Sequence, residues 1–334
     1  MDRTAYWRIG LTLFSLFFAF AVVVVGAYTR ITDAGLGCPD WPGCYHQLTV
    51  PSSAEDIAKA QALYPHAPVD RTKAWAEMGH RYIAGILGLL IAVIAFSSWR
   101  FRREAKASWP IAAFMLGLVV FQAMLGMWTV TLKLLPVVVM GHLLGGFTLL
   151  SLLTWLLLRQ SRPSVPHIHK PTFHWGIIAF VALVCQIFLG GWTSANYAAL
   201  VCPDFPTCHG QLFVPFSKEA FHLFKGYGLE LPLSAMGYAD RVTIQMVHRL
   251  GALISFLMIA RLCIQLVSQH APFYQRLGIF LMILLLTQVT LGIANVALWL
   301  PVPIAVAHNA TAALMLITLV VALYFTHPKH QGQR

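Results

Sequence analysis

The chain has 334 residues, 58% of them hydrophobic and only 10% charged, with a net charge of +11 and a mean hydropathy of +0.70. That composition excludes an ordinary water-soluble domain and identifies a polytopic membrane protein. The distribution of the charge, traced below, also excludes nucleic-acid binding as its meaning.

Apolar stretches of about 20 residues, enough to cross about 30 Å of hydrocarbon, lie near 9–29, 74–98, 110–132, 136–158, 173–195, 243–267, 274–297 and 302–325. The expected fold class is all-α integral membrane, with eight transmembrane helices in two tandem, pseudo-symmetric four-helix bundles. The first stretch is long, lacks a small-residue cleavage site and recurs later in the chain, so it reads as a span and not as a cleavable signal.

The connection from 31 to 73 carries Cys38, Cys44, His46 and His66. Two cysteines separated by five residues, some of them proline, suit a short-range disulfide if the loop faces an oxidising compartment. Free thiols and a reversible dithiol pair are the other readings. His46 flanks the cysteine pair and reads as a loop-shaping residue, and His66 carries no stronger signal. The second stretch then opens with EMGHR, Glu77 to Arg81, and the fourth contains His142.

Residues 161–172 form a polar, basic, proline-punctuated connection that marks the expected boundary. Residues 1–160 are the N-terminal bundle and 173–334 the C-terminal bundle. His167 and His169 in this linker read as solvated, not as a metal clip. Cys185 and Cys263, both within apolar stretches, read as packing residues.

The second half repeats the first. Gly26 to Pro51 aligns without a gap on Gly190 to Pro215, matching Cys38 with Cys202, Asp40 with Asp204 and Cys44 with Cys208. The second loop also carries His209 and His222, read like His46 and His66. EMGHR recurs as QMVHR, Gln245 to Arg249, and His142 recurs as His308.

Orientation follows from retention of basic residues on the cytoplasmic side. With the N-terminus inside, the inner segments carry 13 Lys and Arg against Asp2 and Glu104, and the outer segments 8 against 9 acids. The excess charge is therefore topological. Both termini are expected in the cytoplasm and both cysteine loops on the outer face.

His80, His142, His248 and His308 each fall about six residues into a span from its outer end, roughly 10 Å deep at 1.5 Å per residue. A single intramembrane histidine can simply hydrogen-bond a neighbouring helix. Four at one depth, paired alike in both halves, point to ligands, because polar groups in the membrane are costly and usually functional. Zinc or copper would require three or four protein ligands, and no third one recurs in both halves. Two imidazoles facing each other across a bundle grip a heme iron. Gly79, Gly85 and Gly88, Gly141, Gly145 and Gly146, and Gly126 with Gly292 leave room for a macrocycle or for close helix contact. Arg81 and Arg249 follow two of the histidines and are candidate partners of heme propionates, with snorkelling to the interface as the alternative.

Of the 12 acids, one is expected inside the membrane. Glu77 precedes His80 by three residues and shares its helix face, while the repeat has Gln245 in its place. Glu77 is thus a candidate proton acceptor or charge stabiliser, and the alternative is a carboxylate that orients a histidine or pairs with an arginine. The first half reads as a reaction site and the second as the holder of a permanent cofactor.

EMGHR, His142, His308, the Cys-Pro-Asp-Trp-Pro-x-Cys loop and the duplicated four-helix plan resemble the heme A synthase family over essentially the whole chain. The resemblance implies an oxidoreductase that converts the C8 methyl of heme O to the formyl group of heme A for cytochrome oxidase assembly. It implies heme O as substrate on His80 and His142, Glu77 assisting the oxidation, and heme b on His248 and His308. It further implies a bacterial inner membrane location in the lipid bilayer, heme O synthase (a farnesyltransferase) as upstream partner, a separate electron acceptor, and a candidate homo-oligomer. A diheme cytochrome b-like quinol oxidoreductase and a heme-binding assembly chaperone are the rivals. Neither has a reason to keep an acid in only one half.

Overall fold

The computed structural model describes residues 3–104, 107–161, 170–223 and 236–328; His167 and His169 of the linker lie outside them. The described helices, in order, are α1 (Arg3–Ile31), α2 (Ala54–Leu63), α3 (Arg71–Arg100), α4 (Trp109–Thr131), α5 (Pro136–Ser161), α6 (Lys170–Ala195), α7 (Tyr238–Val267), α8 (Pro272–Ala297) and α9 (Val302–Thr326), with a 3-10 turn at Lys218–Phe221. Eight of them, all but α2, are long and apolar enough to cross a membrane. The protein is a multi-pass membrane protein with the eight spans expected from its sequence.

Helix ends follow local chemistry. The Asp70 carboxylate accepts from the N–H groups of Thr72 and Lys73 at 3.0 and 3.1 Å, capping α3 beyond the apolar stretch and starting it at Arg71. The Ser53 hydroxyl accepts from the Asp56 N–H at 3.0 Å and nucleates α2, a short, largely exposed helix that hydropathy does not reveal. Proline in the first turn of α4, α8 and α9 occupies positions whose N–H has no intrahelical partner anyway.

The spans pack as two rings. α1 contacts α3 and α5, and α4 bridges those two; α6 contacts α7 and α9, and α8 bridges those two. The rings meet where α1 and α5 lie against α9 and where α5 meets α6. At the end that bears the cysteine loops, Arg30 of α1 crosses this seam. It donates to the Ser194 carbonyl at 2.5 Å and the Tyr197 hydroxyl at 3.2 Å, with its guanidinium 4.4 Å from the centre of the Tyr197 ring.

Several hydroxyls within the spans bond their own helix. Thr12, Ser15, Thr154 and Thr318 donate to the carbonyls of Arg8, Leu11, Leu150 and Leu314, each four residues back, which satisfies them where no water can. The continuous apolar core runs through Leu87, Ile91 and Ile94 of α3, Leu150, Leu153 and Leu156 of α5, Ile259, Leu262 and Leu266 of α7, and Leu316 and Leu319 of α9. On all four helices these residues follow the histidine. Tight packing therefore fills the end of each bundle away from the cysteine loops and leaves the histidines above it.

Candidate functional site

In the first bundle the rings of His80 on α3 and His142 on α5 face each other with centres 6.3 Å apart and planes at 81°. A metal–imidazole bond is about 2.0 Å and the nitrogen lies about 1.1 Å from its ring centre, so two imidazoles on opposite sides of one iron have centres about 6.2 Å apart. The observed pair fits that requirement. In the second bundle His308 of α9 is likewise the electrostatic neighbour of His248 of α7.

Each histidine is backed by a glycine from another helix of its bundle. A Cβ at Gly26 of α1 would stand 2.9 Å from Cε1 of His80, and one at Gly126 of α4 3.5 Å from Cε1 of His142. In the second bundle Gly190 of α6 and Gly292 of α8 stand in the same relation to His248 and His308, at 3.2 and 3.1 Å. At Gly26, Gly190 and Gly292 any larger residue must push the ring inward. Gly126 and Gly292 were among the small residues singled out from the sequence. Gly26 and Gly190 were not, although they open the aligned segment.

The remaining glycines divide. Around Gly79 and Gly85 of α3 a Cβ would meet nothing within 4 Å, so open space adjoins the helix there. Gly141 and Gly145 serve helix packing, since a Cβ at Gly145 would fall 1.8 Å from the Gln122 side chain.

The ring nitrogens differ in their partners. Nδ1 of His80, of His142 and of His308 is buried without a hydrogen bond. Main-chain carbonyls of Gln122 and Gln288 lie against His142 and His308. The Gln288 amide also faces Nε2 of His308 at 3.2 Å and would give way to a metal at that nitrogen. His248 alone of the four has its Nδ1 engaged, by the Gln186 amide at 3.0 Å.

Glu77 is 5% exposed, as is Gln245. Its carboxylate accepts from Arg81 one turn later and from the Cys38 N–H at 2.9 Å. The acid thus joins the histidine helix to the cysteine loop. Arg81 also donates to the carbonyls of Gly43 and, at 3.3 Å, Pro42. Arg249 repeats the pattern on Thr207 and Pro206, at 2.5 and 3.2 Å, and because Gln245 offers no charge its other arm takes the Cys202 carbonyl at 3.1 Å.

The loops themselves are twins. Cys38–Cys44 and Cys202–Cys208 are disulfides, with Cα atoms 4.8 and 4.7 Å apart. Asp40 accepts from the N–H groups of Tyr45 and His46, both at 2.7 Å. Asp204 accepts from those of His209 and Gly210, at 2.6 and 2.9 Å, and from the Thr207 hydroxyl. Tyr45, His46 and His209 adopt left-handed backbone, with φ of 54°, 60° and 52°, and the carboxylates hold them there. The shared Cys-Pro-Asp was visible in the sequence, but this role for its aspartate was not. The His46 ring stacks on Tyr64 and His209 meets the Val201 carbonyl and the Tyr238 hydroxyl. His66 and His222 are exposed. Cys185 and Cys263 are free thiols; Cys263 is buried in the core as expected of a packing residue, whereas Cys185 is exposed on α6 and does not pack.

Among the described residues each bundle thus brings two histidines together beneath a disulfide loop, with a carboxylate one turn before the α3 histidine where α7 has Gln245. The chain matches the COX15-CtaA family, described as cytochrome oxidase assembly protein, over residues 10–320. It is 44% identical to the heme A synthase of Shewanella oneidensis over 324 residues, 96% of each chain. It is 28% identical to that of a Chelativorans species, covering 89% of this chain and 84% of the relative, and 25% identical to that of Rickettsia felis, covering 93% and 95%. The protein belongs to the COX15-CtaA family of cytochrome oxidase assembly proteins.

Proposed function

We propose that the protein is a heme A synthase of the bacterial inner membrane, oxidising the C8 methyl of heme O through a hydroxymethyl stage to the formyl group of heme A, a net four-electron oxidation of that carbon that requires an external electron acceptor and an oxygen-donating co-substrate. The observation that carries this reading is the Glu77 carboxylate one turn before His80, where the second bundle has Gln245 before His248; the other buried acid among the described spans, Asp240 of α7, lies two turns before His248 and accepts from Ser217 and Gly237. Two bundles share their histidines, glycines, arginines and loops, and only the one with Glu77 beside His80 has a group suited to oxidation chemistry at a bound heme.

In this reading His80 and His142 would hold the substrate through its iron, and the 6.3 Å between their ring centres is a separation that lets both serve as ligands. Glu77 holds negative charge next to the reacting methyl, where positive charge builds as electrons leave it, and accepts a proton released there. Arg81 and the Cys38 N–H keep the carboxylate in place. His248 and His308 hold heme b, which supplies one-electron transfer between the reaction site and an external acceptor. Arg249 retains a buried Nε without a partner, a donor available to a propionate, and Arg81 stands at the matching position in the first bundle.

Heme O synthase supplies the substrate, and the cysteine loops face outward with both termini in the cytoplasm, an orientation that the excess of Lys and Arg in the inner segments supports. The test is extraction and chromatography of hemes from cells that make heme O, with and without the protein. Heme A should appear only with it. Unchanged heme O with a heme-loaded protein would instead indicate a binder or electron carrier.

A further inference from the structure

The second bundle holds an amide that the first does not. Gln186 of α6 lies one turn before Gly190, on the face that meets His248, and its Nε2 stands 3.0 Å from Nδ1 and 3.1 Å from the carbonyl of that histidine. The amide can serve either tautomer of the ring. As placed, its NH2 donates to a bare Nδ1 and to the His248 carbonyl; with the other ring nitrogen committed to a metal Nδ1–H becomes a donor, and the amide turns off that carbonyl to present its oxygen, which is buried without a partner.

Room for this side chain comes from Gly251 of α7, where a Cβ would fall 2.5 Å from the Gln186 oxygen. Both features are absent from the first bundle. The residue that aligns with Gln186 is Val22, one turn before Gly26, and the residue that aligns with Gly251 is Ile83. One bundle has a polar side chain and the space to admit it; the other has two branched apolar residues in their place. His80 Nδ1 is correspondingly buried without a partner.

We propose that Gln186, admitted by Gly251, is a positioning residue for His248 that makes the second heme site a permanent one, whereas Val22 and Ile83 withhold this support from His80 so that the first site can release its heme. The inference rests on the assignment of heme b to His248 and His308. A hydrogen bond to the outer nitrogen of a ligating imidazole fixes the ring's orientation and raises its basicity, and loss of such a partner typically costs about 10- to 100-fold in metal affinity. A catalyst needs the opposite at a substrate site, because a heme held that firmly would not leave as product.

The experiment uses the full-length protein purified in detergent, with heme loss followed as transfer to excess apomyoglobin and the low-spin ferric spectrum recorded by electron paramagnetic resonance. Gln186→Val should speed loss of the second-site heme by about tenfold or more and shift its low-spin signal. Gly251→Ile, which expels the amide without removing it, should do the same. Gln186→Glu keeps an acceptor for Nδ1–H, so it should restore retention and move the midpoint potential below that of the wild type. Val22→Gln with Ile83→Gly should slow heme release from the first site. Unchanged retention and spectra in both Gln186→Val and Gly251→Ile, with heme lost in His248→Ala, would overturn the proposal. Retention of that heme in His248→Ala would instead overturn the site assignment beneath it.

Discussion

Glu77 and Arg81 form a buried ion pair one helical turn apart, and the pair has no counterpart at Gln245 and Arg249. The two arginines otherwise do the same work, each donating to two carbonyls of its cysteine loop. The difference lies in the remaining arm. In the second bundle it reaches the Cys202 carbonyl; in the first it holds a carboxylate in place. The repeat therefore shows both what the acid adds and how the bundle manages without it.

Glu77→Gln is accordingly expected to fold and to bind heme. Gln245 demonstrates that glutamine fits this buried position, and Arg81 can turn to the Cys38 carbonyl as Arg249 turns to that of Cys202. Conversion of heme O should fall by about 10² or more, the usual scale for a positioned acid or base. Chromatography of extracted hemes should show heme O or its hydroxymethyl derivative in place of heme A. A normal heme A yield would end the catalytic role, and loss of bound heme would recast the residue as structural.

His248→Ala or His308→Ala should remove most of the low-spin heme b absorption of the purified protein, whereas His80→Ala should leave it. The expectation follows from placing the resident heme in the bundle without the acid. Optical spectra of the three variants, taken at equal protein concentration, decide it. Retention in His248→Ala with loss in His80→Ala would reverse the roles of the bundles.

The eight spans were legible because a helix crossing a membrane must be apolar over its whole length, and nothing else in the chain is. The four histidines were legible because they are costly and repeated. Other features were hidden for physical reasons. α2 depends on the Ser53 cap and presents mostly exposed polar residues, so hydropathy is silent about it. Pairing of Glu77 with an arginine is one of the two readings the sequence offers, and Arg81 at i+4 answers it; what stayed hidden is the third member, the Cys38 N–H, from a loop 39 residues earlier. Gln186 looked like one polar residue in an apolar helix; its partner is 62 residues away. The repeat exposed Glu77 because Gln245 resembles it. It concealed Gln186, because Val22 does not.

The loop disulfides should resist alkylation in the unreduced protein. Peptide mapping should recover Cys38 joined to Cys44 and Cys202 joined to Cys208, with Cys185 and Cys263 alkylated as free thiols, the buried Cys263 only after denaturation. Replacing either pair by serine should cost its loop about 2–3 kcal/mol of stability, the scale for a short closed ring. Four additional alkylatable thiols before reduction would contradict the pairing.

Asp204 gives the second loop a defined dependence on pH. The Thr207 hydroxyl and the Gly210 and His209 N–H groups hold its carboxyl well below the usual carboxylate range. A group whose pKa is depressed in the folded state contributes stability that is present above its unfolded pKa, about 3.9 for aspartate, and lost as pH falls through the folded value. The loop should therefore be insensitive to pH from about 5 upward and loosen only in stronger acid. Asp204→Asn removes the charged acceptor, so the variant should be more susceptible to limited proteolysis between Cys202 and Gln211 at neutral pH, with the difference from wild type shrinking as both are acidified below about pH 3. A difference that instead grew on acidification would mean that the charge destabilises the loop and that the hydrogen bonds around Asp204 do not hold it.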